Sequence, residues 1–156
     1  MSVASTATTA HILSRLFTPC YVSRINRQIV HPATSVIVKP NELESALARP
    51  LHVAQYEPER SPGYLAAQLS YGIIMGHPFM DGNKRTGKYV LSAPPMIDQV
   101  HVAKAFFLAN EYLRMQGRLG LTDGLEGADA LHHLAQRYVQ VAAGELGIEA
   151  LAASMR

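Results

Sequence analysis

The stretch Tyr64–Thr86, "YLAAQLSYGIIMGHPFMDGNKRT", decides the fold. Up to Gly76 it is apolar, with Leu65, Leu69 and Ile73 four residues apart and small residues between them, the pattern of a buried, closely packed helix. Ser61-Pro62 just upstream gives that helix a cap followed by proline at its first position. After Gly76 the composition changes within ten residues to His77, Asp81, Asn83, Lys84 and Arg85, which is chemistry rather than packing. A central helix that opens into a polar loop is the expectation.

Periodicity elsewhere is also helical. Thr18-Pro19 caps a stripe of Tyr21, Val22, Ile25, Ile29 and Val30, predicting a helix that ends near His31. "NELESALARP" reads as a short helix closed by Pro50, and "ADALHHLAQRYVQVAAG" as an amphipathic helix ended by Gly144. "ELGIEALAASM" adds a short last one. Val36, Ile37 and Val38 are β-branched and predict a small extended flap before Pro40. The class is all-α, in one domain over residues 16–156.

Composition excludes several functions. The chain has 156 residues and enough apolar content, 48%, to bury a core. No apolar run approaches a membrane span. A net charge of +2 with 7% aromatic residues argues against a surface built for nucleic acid. The single Cys20 cannot form an internal disulfide and fits a reducing compartment, the cytoplasm. No acidic residue precedes Glu42, whereas Arg15, Arg24, Arg27 and Lys39 do. Residues 1–15 therefore read as a disordered tail or, alternatively, as a mitochondrial transit segment.

The polar loop has the parts that phosphoryl or nucleotidyl transfer needs. His77 can take a proton near neutral pH, Asp81 is a hard oxygen ligand for Mg²⁺, and Gly82 lets the backbone approach a ligand. Asn83, Lys84 and Arg85 supply donors where a helix would begin, a place that attracts phosphate.

As a set, "HPFMDGNKRT", residues 77–86, resembles the signature loop of the Fic and Doc (Fido) superfamily, His-Pro-Phe-x-Asp/Glu-Gly-Asn-Gly/Lys-Arg. Together with "YVSRINRQIV" and "NELESALARP" in order, it is most similar to the Doc, or death-on-curing, branch, from about Phe17 to about Gly147. The resemblance implies a helical Fido bundle with the loop between two central helices. It implies His77 as the base that deprotonates a target hydroxyl, Phe79 as the anchor of the loop, Asp81 as the Mg²⁺ ligand, and Gly82, Asn83, Lys84 and Arg85 as the cradle for ATP phosphates. Fic enzymes that transfer AMP usually have glycine at the position of Lys84 and a second arginine where this chain has Lys88. Lysine at 84 goes with the Doc branch, which implies transfer of the γ-phosphate of ATP to a protein Ser or Thr. The family acceptor is a translation elongation factor, and bacterial Doc toxins are held by a small antitoxin. AMP transfer and an inactive interaction module stay open as alternatives.

The Doc-like continuation "AFFLANEYLRMQG" begins only at Ala105, leaving residues 87–104 surplus and carrying Pro94-Pro95 where a helix is expected. "GKYV" can be encoded with the splice-donor sequence GTAAGT, and Lys104-Ala105 with an acceptor AG, so that removal restores alanine in frame. A translated intron in a eukaryotic gene is the expectation; a genuine surface loop is the rival.

Other candidates are weaker. "TDGLEG", residues 122–127, matches the form of an inhibitory helix that would use Glu126, but its glycines favour a loop. His132 and His133 are adjacent and so poor metal partners, and His11, His31, His52 and His101 lack ligand spacing. Asn110 and Glu111 read as helix-surface groups or as supports behind the site, rather than as catalysts.

Overall fold

The computed structural model describes residues 3–32, 34–80, 99–116 and 128–155. They form seven α-helices: α1 Val3–Leu16, α2 Pro19–Val30, α3 Pro40–Tyr56, α4 Pro62–Gly76, α5 Gln99–Met115, α6 Ala128–Ala142 and α7 Ile148–Ala153. Among the described residues, the β component is a single antiparallel bridge between Ile37 and Phe79.

Helix α4 is the axis, as its apolar sequence requires. Eleven of its residues are buried, from Gly63 to Ile74, and α3, α5, α6 and α7 all pack on it. The two caps read from sequence are made: the hydroxyls of Thr18 and Ser61 each accept from the backbone N–H three residues on, at 3.2 Å. Each satisfies an N–H that the first helical turn cannot. At the other end of α6, Gly144 takes a left-handed φ of 77°.

Helices α3 and α4 run antiparallel in unusually close contact. A β-carbon added at Gly72 would come within 2.8 Å of Ala46 Cβ and 2.9 Å of Arg49 Cδ, so only glycine permits this spacing. A polar seam follows the same interface: Arg49 Nε donates to Gln68 Oε1 at 3.1 Å and Gln68 Nε2 to Tyr64 Oη at 3.2 Å. At the end of the seam the Arg60 guanidinium stacks over the Tyr64 ring at 4.1 Å and pairs with Glu57 at 2.6 Å.

Three expectations are corrected. Residues 3–16 are helix rather than tail, because Ala10, Leu13 and Phe17 recur at helical spacing and are buried, against α3 in particular. Pro50 lies inside α3 and does not close it. It forfeits one backbone hydrogen bond, but its ring is buried, and Leu51, Val53 and Ala54 beyond it continue the apolar face, which outweighs the loss. Helix α5 starts at Gln99, six residues before Ala105, so the end of the surplus segment is helical. Its buried face is Ala105, Leu108, Ala109, Tyr112 and Leu113, with Phe107 44% exposed. Of the two places open to Asn110, it is buried rather than at the surface.

The helices after the loop are tied to α4 by a buried hydroxyl. Ser70 Oγ donates to Ala105 O at 3.2 Å and shares a 2.9 Å hydrogen bond with Tyr138 Oη, joining α4, α5 and α6. Burial pushes the Tyr138 hydroxyl far above its ordinary pKa, with the Ser70 hydrogen bond opposing. It stays neutral, as a buried hydroxyl must to avoid an unpaired charge.

Candidate functional site

Helix α4 ends in a residue whose backbone is unusual for its type. His77 has φ 46° and ψ 55°, the left-handed conformation, and is the one non-glycine residue with positive φ among the described residues. Its N–H still donates to Ile73 O at 3.3 Å, so the histidine itself turns the chain out of the helix. Glycine normally takes this place, because a side chain there costs about 1–2 kcal/mol. The preceding residue is a glycine, Gly76, yet it remains helical. Pro78 disfavours the right-handed helical conformation at His77 and so marks the helix end there, but it does not foretell the left-handed φ.

The residues after His77 are held from the other side. Pro78 O accepts from the N–H groups of Val38 and Lys39 at 2.8 and 3.1 Å, and Met80 N–H donates to Val36 O at 2.9 Å. The segment expected as a flap is thus a short clamp on the start of the loop, made just before α3 begins. Phe79, on the bridge itself, is 1% exposed and belongs to the main core. Burying a phenyl ring contributes roughly 1.5–3 kcal/mol. His77 and Met80, on either side of Pro78 and Phe79, are exposed.

The arrangement presents an imidazole to solvent at the carbonyl end of a helix, where partial negative charge favours a cation, on backbone fixed at both sides. Such a group can accept a proton and hold it. Asp81, Gly82, Asn83, Lys84 and Arg85 lie outside the described residues, as do Lys88 and Glu126. No group of three or more His, Cys, Asp or Glu that could hold a metal occurs among the described residues. His132 and His133 are both exposed, the former sharing a 3.1 Å hydrogen bond with Gln136, and His11 and His52 are exposed on separate helices. Glu42, which sequence reading passed over, lies against Gly76 next to His77.

An all-helical protein with a histidine at the end of its central helix, followed by a buried Pro-Phe and a polar loop, is the class that fold and site define. The model of the Fic/DOC family matches residues 9–93, more than half of the chain, and the chain belongs to that family. Its members are helical Fido-domain proteins and typically transferases. Searches of curated proteins and of solved structures give no significant match. Among the described residues, no helix is long and apolar enough to cross a membrane.

Proposed function

We propose that the chain is a Doc-like phosphotransferase that moves the γ-phosphate of ATP to a Ser or Thr hydroxyl of a protein. The observation that carries the reading is His77: a histidine where helix geometry favours glycine, exposed, and immediately followed by the buried Pro78 and Phe79. In the reaction, an imidazole nitrogen of His77 takes the proton of the acceptor hydroxyl as its oxygen bonds to the γ-phosphorus. The bond from that phosphorus to the β–γ bridging oxygen breaks, and ADP leaves. The donor set suits ATP with Mg²⁺: one carboxylate, Asp81, is the usual protein share for Mg²⁺, with phosphates supplying further ligands. Mg²⁺, when bound, neutralises phosphate charge. Gly82, Asn83, Lys84 and Arg85 would cradle the phosphates, and Lys84 favours the γ-phosphate over the AMP end.

A translation factor as acceptor and an antitoxin-like inhibitor belong to the same reading by family likeness, as does a cytoplasmic location, with a mitochondrial one as alternative. We also read residues 87–104 as a translated intron. What supports this reading is Pro94-Pro95 inside the segment and the Doc-like run that resumes at Ala105, although the family match itself extends to residue 93.

Label transfer decides the chemistry. The full chain and a form lacking residues 87–104 are incubated with Mg²⁺, a cell lysate and ATP labelled at either the α or the γ phosphate, with His77→Ala as the blank. Transfer of γ label, falling about 10²–10⁴-fold in the blank, is the expected result. Transfer of α label makes the protein an AMP-transferase, and transfer of neither by both forms sinks the enzyme reading in favour of an interaction module. Genomic sequence lacking GT at codon 87 would end the intron idea.

A further inference from the structure

We infer that Glu42 is a positioning residue for His77, a carboxylate that supports the imidazole in its protonated form; the inference rests on the proposed role of His77 as base. The packing of α3 on α4 puts Glu42 there. The two helices meet antiparallel, with Arg49 bonded to Gln68, Ala46 against Gly72 and Glu42 against Gly76, before the pairing passes into the Ile37–Phe79 bridge. A β-carbon at Gly76 would meet Glu42 Cβ and Glu42 Oε2 at 3.3 Å each. Glu42 is exposed, and its carboxylate lies beside the last helical residue, one position before His77.

That is a poor place for a negative charge on electrostatic grounds alone. The last turn of a helix exposes carbonyl oxygens, and a carboxylate beside them is repelled. The cost is offset when a cation shares the space, and an imidazolium at 77 supplies one whenever the base has taken its proton. The other groups facing this corner are few. Lys39 comes from the residues before α3, the segment 34–38 has no ionisable side chain, and neither does the last turn of α4. Asp81, Lys84 and Arg85 follow in the chain. Among the described residues, neither Lys39 nor His77 lies within ion-pair distance of Glu42, so the carboxylate is committed to neither of them before His77 takes a proton. A purely structural role for Glu42 also exists, since an acid in the first turn favours the N-terminus of α3.

Titration of His77 separates the two roles without ATP or an acceptor protein. The full chain is labelled at histidine, the His77 resonance is assigned by its loss in His77→Gln, and its apparent pKa is read by NMR. In Glu42→Gln it is expected to fall by about 0.5 unit, and in Lys39→Gln to rise. Glu42→Asp, which keeps the charge but withdraws it by one methylene, should fall less; it also serves if Glu42→Gln does not fold. A His77 pKa unmoved in Glu42→Gln, with only the melting temperature lowered, overturns the inference and leaves Glu42 as a helix-end residue. An equal fall in the distant Glu149→Gln overturns it too, by making the effect one of net charge. If His77 responds to Glu42 as expected while neither ATP label is transferred, the pairing stands and the phosphotransferase reading alone fails.

Discussion

On its α3 side, helix α4 presents Gln68, Gly72 and Gly76 and lets a neighbour approach to backbone contact; on its α5 side it offers Ser70 to Ala105 and Tyr138. The first interface is laid out by chain that precedes the polar loop, and it runs on without a break into the clamp of residues 36–39 on Pro78 and Met80. The second is laid out by chain that follows the loop. The difference separates the supports of the site. Among the described residues, the backbone on both sides of His77 is held by α4 and residues 36–39, whereas α5 and α6 are tied to the middle of α4 at Ser70.

That division can be attacked residue by residue. The largest effect is expected at Phe79, whose ring joins the clamp to the core: Phe79→Ala should lower unfolding free energy by about 3–5 kcal/mol in denaturant titration. A loss under about 1 kcal/mol would detach the loop from the core and undo the comparison. Gly72→Ala comes next. The added carbon has no room between Ala46 and Arg49, and a destabilisation of about 1–3 kcal/mol should accompany a shift of the His77 resonance, because the helices must part along the line that leads to it. Ser70→Ala strands the Tyr138 hydroxyl in the core at a cost of about 1–3 kcal/mol. It should leave the His77 resonance in place, and a shift as large as that of Gly72→Ala would show that both faces of α4 position the histidine. The smallest effect has the opposite sign. His77→Gly relieves left-handed strain and should stabilise the protein by about 1 kcal/mol while label transfer is abolished. A lower melting temperature would mean that the imidazole packs for stability instead.

Much of this was legible from residues whose local preference and tertiary environment agree. Ser61-Pro62 and Thr18-Pro19 begin helices in isolation and begin them here. Leu65, Leu69 and Ile73 are apolar on a helix that is buried nearly all round. The misreadings fall where tertiary packing overrides local chemistry. Proline ends a helix unless the apolar face beyond it has a core to reach, as the face beyond Pro50 does. The Ser/Thr/Ala-rich start reads as tail until Ala10, Leu13 and Phe17 are seen buried against the bundle. The reading of the site divides in the same way. His77 and Phe79 are found by motif and Pro78 marks the helix end, but the approach of Glu42 to Gly76 arises from the pairing of α3 with α4, which no local pattern encodes.

The passage from α4 into the bridge also imposes a parity on the sequence. Up to Gly76 side chains repeat with a helical period of 3.6, and at the bridge buried Phe79 is followed by exposed Met80 against a partner segment held by Val36, Val38 and Lys39. His77 is the residue where the count changes. One residue added between Gly76 and Phe79, with the partner segment held, would carry the phenyl ring to the solvent side now occupied by Met80. The His-Pro-Phe spacing is therefore set by phase as well as by chemistry.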